Sequence, residues 1–364
     1  MPINILKMNF RDKKLSFGIV YVGVIVFISL LGIYFNVAKH INLLFENKST
    51  SLIFYFSLCL GLTTILDIIS SKNLNDNKDH SITLIFFLNL IFFGIFYISI
   101  SILDLLLENY QLILTPIKIF FYCIIMQIFI LFSQNVISRI FLKKETFKYK
   151  NYNFLKIKNS PSYMTSNINY GATSNKYLIP NHWFSEKKEN YEFYLERIIL
   201  MIKENLYIKV SILSIIINSI ISTIVIDSLY FSSLSFVEIV INLSLISNLI
   251  SFFYILILPK ISQWGIMNID NKIREKNENI FRENLSIFEK NQDTNIKVNE
   301  KIENVFYPIP SIYTRENNKK VYLLTLPNIS RVIIFFMMFS LSIIFKGVHG
   351  NAGKPLNWFF PPIE

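Results

Sequence analysis

Polar side chains recur at helical spacing inside two long apolar stretches of this chain. Ser214, Asn218 and Ser222 lie in the first stretch, and Ser244 and Asn248 lie in the second. Spacings of three and four residues place each set on one stripe of a helix. Such stripes can line a polar conduit or ligand pocket, or they can hold helices together by hydrogen bonds of about 0.6–2 kcal/mol each.

A basic side chain, Arg331, lies within a third apolar stretch, Val321 to Phe345. A helix over this stretch would place Arg331 about 15 Å from its start. A charge at that depth of a bilayer costs about 2.5 kcal/mol or more, so Arg331 is expected to face protein or water, where it could bind an anion. Two alternatives stay open: Arg331 snorkels to the membrane surface or pairs, or Pro327 breaks the helix and leaves Arg331 at a boundary.

Two further charged groups lie near the tight connection between neighbouring apolar stretches. Asp104 and Lys118 are close enough in a helical hairpin to form an ion pair, and a structural pair is the preferred interpretation over a proton or ion relay. Asp67 falls at the predicted end of another stretch, where a carboxylate is expected to reach water.

The sequence contains no pattern typical of catalysis, metal binding or cofactor binding. Its four histidines fall in predicted loops or tails, so no haem or zinc site forms from histidines within the apolar stretches. We therefore predict no catalytic residues, no metal, no cofactor and no enzyme activity.

The elements that position these side chains follow from hydropathy. The chain has 364 residues, of which 52% are hydrophobic and 17% charged, a balance typical of polytopic membrane proteins. The 49 residues from Val210 to Leu258 contain no Lys or Arg. This stretch is too long for one membrane span and suits two. A hairpin turned at 230–235 returns to the side it left, so the Lys-rich segments 141–193 and 260–320 must share one face.

Five further apolar stretches complete about seven predicted transmembrane helices in an all-α bundle. They cover 17–35, 52–69, 82–107, 112–140 and 321–345. On the predicted inner face, 27 Lys and Arg residues lie in 1–16, 70–81, 139–193 and 260–320, and the outer face carries 4. The positive-inside rule therefore predicts an inner N-terminus and an outer C-terminus.

Five regions follow from this topology. They are the first four transmembrane helices (1–140), a basic inner loop with a lead-in helix (141–209), the transmembrane hairpin (210–259), a second basic inner loop (260–320) and the last span with an aromatic tail (321–364).

Amphipathic helices are predicted in the inner loops. One would present Ile269, Ile273, Ile280, Phe281, Leu285 and Phe288 on a single apolar face. A second helix is expected over Tyr191 to Lys209, continuing into the fifth span. The segment from Tyr149 to His182 lacks clear periodicity and is predicted to be loop.

These features favour a non-catalytic structural, assembly or scaffold subunit of a membrane complex. Its partners would be the lipid bilayer and proteins bound through loops 141–193 and 260–320 or through tail 355–364. A channel or transporter lined by the last three spans is the alternative. Nucleic acid is not expected, because the basic residues lie beside apolar spans. Heavy use of Ile, Asn, Lys and Phe indicates an AT-rich genome, which favours a protist endomembrane or an organelle inner membrane.

Overall fold

The protein is mostly helical, as predicted. A computed structural model describes residues 10–73, 82–158, 167–169, 176–185, 188–276, 278, 281–285 and 299–341. The first helices are α1 (Phe10–Tyr34), α2 (Val37–Leu44), α3 (Lys48–Asn73), α4 (Ile82–Glu108) and α5 (Leu114–Phe141). Strands follow at β1 (Lys144–Tyr149), β2 (Tyr152–Ile157), β3 (Asn167–Asn169) and β4 (Lys176–Pro180). The remaining helices are α6 (Lys188–Lys203), α7 (Leu206–Phe231), α8 (Phe236–Ile257), α9 (Pro259–Arg274), α10 (Glu300–Phe306), α11 (Ile312–Asn317) and α12 (Ile329–Phe336).

The described residues fall into two compact units that interleave along the chain. The first unit draws on Met1–Ile128, Ile215–Phe253 and Ile334–Trp358. The second unit draws on Phe129–Ser214 and Tyr254–Ile333.

Five helical segments within the described ranges are long and apolar enough to cross a bilayer. They are Lys48–Ser70, Ile85–Glu108, Leu114–Leu131, Leu206–Phe231 and Phe236–Ile257. Large apolar side chains such as Leu105, Ile125 and Phe253 stay exposed on them. Exposed apolar side chains of this kind suit a lipid environment. The structure is thus compatible with a membrane protein in which five or six helices are long and apolar enough to span the bilayer.

The sixth span depends on a bent pair of helices at the start of the chain. Gly18–Tyr34 and Val37–Leu44 meet at an angle of 69°. The bend follows Asn36, whose backbone is left-handed with φ of 49°, a conformation that asparagine tolerates better than most residues. The first predicted span is therefore extended by a second, tilted helix.

The predicted seventh span does not form a continuous helix over its described part. Residues 321–328 are not helical, α12 begins only at Ile329, and it ends at Phe336. Pro327 and the left-handed Asn328, with φ of 58°, separate the two parts. The expectation of one span from Val321 is therefore wrong, and the helix starts after Pro327. Residues 342–345 of the predicted span lie outside the described residues.

Helices α7 and α8 occupy the stretch that was predicted as a hairpin, and a short turn separates them. Ser235 and Glu238 build a capping box at the start of α8. The Ser235 backbone N–H donates to Glu238 Oε2 at 2.8 Å, and the Glu238 N–H donates to Ser235 Oγ at 3.3 Å. These bonds satisfy N–H groups that the first turn of a helix leaves open.

A four-stranded sheet in the order β1-β2-β4-β3 replaces the loop predicted over 149–182, so the fold is not purely α-helical. The β1-β2 pair and the β3-β4 pair are antiparallel, and β2 runs parallel to β4. Apolar side chains alternate with polar ones about the two-residue turn Lys150-Asn151. Phe147 is partly buried against the core, and Phe154 is 1% exposed. This period of two was the strand signal that the prediction missed.

The helices of the second unit are shorter than predicted. Asn205, left-handed with φ of 53°, separates α6 from α7, so the lead-in helix does not continue into the span. Likewise α9 begins at Pro259 and ends at Arg274, and a separate helical segment covers 281–285. The described members of the predicted apolar face, Ile269, Ile273, Phe281 and Leu285, are all buried in one core with residues of α6. Ile280 and Phe288 lie outside the described residues.

Candidate functional site

The polar side chains of α8 contact polar groups on other helices of the first unit. Asn248 Nδ2 donates to Ser29 Oγ of α1 at 3.2 Å, and Tyr55 Oη of α3 donates to Ser244 Oγ at 3.0 Å. All four side chains are buried. These residues therefore connect α8 to α1 and α3, across 219 and 189 residues of the chain.

Further buried pairs, which the sequence analysis did not identify, follow the same arrangement. Gln127 Nε2 of α5 donates to Ser219 Oγ of α7 at 2.8 Å. Asn89 Nδ2 of α4 lies 3.2 Å from Asp67 Oδ2 of α3. Asp67 is fully buried, so the expectation that it reaches water at a helix end is wrong.

The remaining members of the predicted conduit are divided between the units. Asn218 and Ser222 are buried on the part of α7 that belongs to the first unit. Ser214 is buried on the part that belongs to the second unit, and Arg331, near the start of α12, also belongs to that unit. Arg331 is half-buried rather than exposed.

Asp104 has a different partner from the one predicted. It forms a salt bridge with Lys48, at the start of α3, and Lys118 is exposed on α5. Lys48 Nζ also lies 5.3 Å from the centre of the Phe236 ring. The cation that pairs with Asp104 thus comes from α3, the helix that packs against α4. The prediction had assigned this role to Lys118 of α5.

The second unit contains a buried charged cluster formed by Arg197, Asp270 and Arg315. Arg315 Nε donates to Asp270 Oδ2 at 2.6 Å and its Nη2 donates to Oδ1 at 3.1 Å, while Arg197 Nη1 also donates to Oδ1. The three side chains are 1–2% exposed. Because they come from α6, α9 and α11, the cluster joins three helices at one carboxylate.

A third guanidinium extends this cluster. Arg274, one helical turn after Asp270, donates to the backbone oxygens of Arg315 and Asn318, the latter at 3.1 Å. Its guanidinium carbon lies 4.7 Å from the centre of the Phe281 ring. Arg274 thus holds α11 and the residues after it against α9.

The electrostatics of the cluster keep Asp270 ionised. Burial by itself raises the pKa of this carboxyl, but the two adjacent guanidiniums outweigh burial and hold the pKa below its ordinary value. Since Arg197 and Arg315 do not lose their protons at ordinary pH, the charged form is the stable state of the cluster.

The polar face of α9 also holds an extended segment that follows α11. Asn268 accepts from the Tyr322 backbone N–H at 2.8 Å and donates to the Tyr322 backbone oxygen at 2.8 Å. Asn271 Nδ2 donates to the Lys320 backbone oxygen at 2.9 Å. The side chains of α9 thereby replace the backbone partners that a strand would provide, and they hold this segment in place.

These groups join helices through hydrogen bonds and ion pairs. Among the described residues, no group of three or more His, Cys, Asp or Glu side chains could hold a metal ion. The charged cluster is too deeply buried for a ligand to reach it. No local pattern in the sequence marks this cluster, because Arg197 follows Glu196 directly and its partner Asp270 lies 73 residues away along the chain.

Comparison with known proteins gives no guide to the role of these sites, since neither a family model nor a curated protein nor a solved structure matches the chain.

Proposed function

We propose that this multi-pass membrane protein is a non-catalytic scaffold or assembly subunit of a membrane complex. The observation that supports the proposal is the pairing of polar side chains inside the first unit. Asn248, Ser244 and Gln127 bond to side chains of other helices. Polar groups used in this way stabilise helix contacts and leave little capacity to coordinate a passing ion.

The second unit supplies the surface for partners in this proposal. Its interior is fixed by the cluster of Arg197, Asp270 and Arg315, while basic side chains such as Lys148 and Lys276 are exposed. Both exposed lysines fall in loops 141–193 and 260–320, which we propose as contact regions for acidic partner surfaces. The lipid bilayer around the spans is the other proposed partner. Tail 355–364, the other proposed contact region, lies outside the described residues.

Purification in a mild detergent tests the scaffold proposal. We expect the full chain to co-purify with a stoichiometric partner protein, and we expect Lys148→Glu with Lys276→Glu to reduce the recovered partner. Lys39→Glu is the control, because Lys39 is also exposed but lies in α2, outside both loops. A monodisperse monomer without a partner would contradict the scaffold role.

Leucine substitution of Gln127 distinguishes helix pairing from a conduit. Gln127→Leu removes the bond to Ser219, and we expect it to lower the free energy of unfolding in detergent by about 1 kcal/mol without altering ion flux. Ser228→Ala is the control, because Ser228 is exposed on α7 and its hydroxyl donates to the Ile224 backbone oxygen of the same helix. Unfolding monitored by circular dichroism and flux in reconstituted vesicles give the two measurements.

A channel or transporter lined by α7, α8 and the region of Arg331 is the alternative proposal. It is favoured by the hydroxyls of Ser214 and Ser251, which are buried without a hydrogen-bond partner among the described residues. This alternative predicts that Arg331→Ala abolishes flux in reconstituted vesicles at normal expression. Unchanged flux would exclude the conduit and strengthen the scaffold proposal.

A further inference from the structure

Three apolar side chains are exposed side by side on the extended segment that follows α11. Val321 is 79% exposed, Leu323 is 99% exposed and Leu324 is 42% exposed. These residues belong to the second unit and lie outside the helices that are long enough to cross a membrane. Their exposure therefore has no explanation in the packing of a transmembrane bundle.

The backbone of this segment is held firmly in its exposed position. Asn268 bonds to both backbone groups of Tyr322, and Asn271 bonds to the Lys320 oxygen. The Tyr322 ring also stacks on Trp264, with ring centres 5.5 Å apart and planes 11° from parallel. Tyr322 thus packs against α9 and anchors the segment. Its two neighbours, Val321 and Leu323, point away from α9, as expected from the alternation of side chains along an extended chain.

Positive charge lies directly beside the apolar group. Lys319 and Lys320 are exposed, and Lys319 Nζ lies 3.1 Å from Glu278 Oε1. Lys320 makes no salt bridge within the part of the chain that the structure describes. The segment therefore presents lysine and leucine together, the combination that favours the boundary between anionic headgroups and acyl chains.

The segment is also near the end of a membrane-spanning helix. Helix α9 begins at Pro259, directly after α8 ends at Ile257, and it contacts Tyr322 through Asn268. At the rise of an α-helix, Asn268 is at most about 16 Å from the end of α8. A short distance of this kind keeps the segment within reach of the membrane surface.

We propose that residues 319–324 form an interfacial anchor, in which Leu323 and its apolar neighbours enter the outer edge of the acyl chains and Lys320 binds anionic lipid headgroups. The anchor fixes the second unit to the bilayer independently of the transmembrane helices. A hydrophobic protein partner on the same side chains is the competing occupant that the experiment distinguishes.

Site-directed spin labelling measures the depth of Leu323. The full chain, with Cys59 and Cys123 replaced by alanine, carries Leu323→Cys and is reconstituted alone in vesicles of phosphatidylcholine with phosphatidylglycerol. We expect the label to be accessible to oxygen and to lose accessibility to a water-soluble nickel chelate. A label at Lys276, which is exposed on the same unit, is the control and is expected to remain accessible to the chelate.

A second pair of measurements tests the role of charge. We expect the label to become shallower when Lys320→Gln is introduced and when phosphatidylcholine is the sole lipid. Equal chelate access at 323 and 276 in the anionic vesicles would overturn the anchor and indicate a protein partner. A label depth that changes neither with Lys320→Gln nor with phosphatidylcholine as the sole lipid would overturn the assignment to anionic headgroups. Val321→Cys repeats the test at a second exposed position, so that a poorly folded first variant does not decide the result.

Discussion

Asp270→Asn is expected to destabilise the second unit by about 3–5 kcal/mol, because it leaves two buried guanidiniums without their carboxylate. Asparagine has almost the same shape as aspartate, so packing is preserved while the charge is lost. Trp183 and Trp264 both belong to this unit. Their fluorescence during denaturant unfolding of the full chain in detergent therefore reports the change.

An exposed ion pair of the same unit provides the control for Asp270. Glu204 pairs with Lys272, and both side chains are at least 28% exposed. Glu204→Gln is expected to cost less than about 1 kcal/mol, since solvent screens such pairs. Equal losses for Asp270→Asn and Glu204→Gln would show that the buried cluster has no special role. Adding Arg197→Met to Asp270→Asn is expected to restore part of the loss, because one uncompensated charge is removed.

The stability of the second unit should also depend on pH through Asp270. The pKa of this carboxyl is lower in the folded protein than its ordinary value of about 3.9. A lowered folded pKa means that the carboxylate's contribution is fully present above the unfolded pKa and is lost as pH falls through the folded pKa. We expect the difference in unfolding free energy between native protein and Asp270→Asn to be constant from neutral pH to about pH 5 and to shrink below about pH 4.

Gly265→Ala is expected to destabilise the same unit by about 3 kcal/mol, the upper end of overpacking costs. A Cβ at Gly265 would lie 2.4 Å from the Pro327 nitrogen, 2.6 Å from the Leu326 carbonyl carbon and 2.8 Å from the Leu326 nitrogen. All three are backbone atoms, so no side chain can rotate away. The extended segment would have to move off α9, taking its hydrogen bonds to Asn268 with it.

Two helical glycines with open space at the Cβ position give a matched control for Gly265. A Cβ at Gly61 or Gly94 would meet no atom within 4 Å. Replacing either by alanine should be neutral or should stabilise by about 0.5–1 kcal/mol, because alanine restricts the unfolded chain and favours the helix. Thermal unfolding in detergent compares the three variants, and a Gly265→Ala midpoint equal to the control midpoints would exclude the close contact.

Whether a feature could be predicted depends on whether its residues lie within one helix or come from segments distant in sequence. Ser244 and Asn248 could be recognised because four-residue spacing within one helix already places them on one stripe. Asp104 was expected to pair with Lys118, whereas it forms a salt bridge with Lys48 of α3, and no local pattern identifies which helix supplies a charge. Gly265 has no signal at all, because its requirement comes from the backbone of Leu326 and Pro327.

Sequence by itself predicted the apolar helices, the turn between α7 and α8, and a membrane environment, since each depends on hydropathy within a continuous stretch of chain. The β1-β2 pair and the break at Pro327 each have a local signal in the sequence, whereas the tertiary structure decided where the segment after α11 lies and how the cluster at Asp270 assembles. The physical reason is that these features depend on partners distant in sequence. Asn268 offers its amide to Tyr322 across 54 residues, and Arg197 reaches Asp270 across 73. Such contacts override local hydrophobicity, which alone would have continued Val321 into a helix.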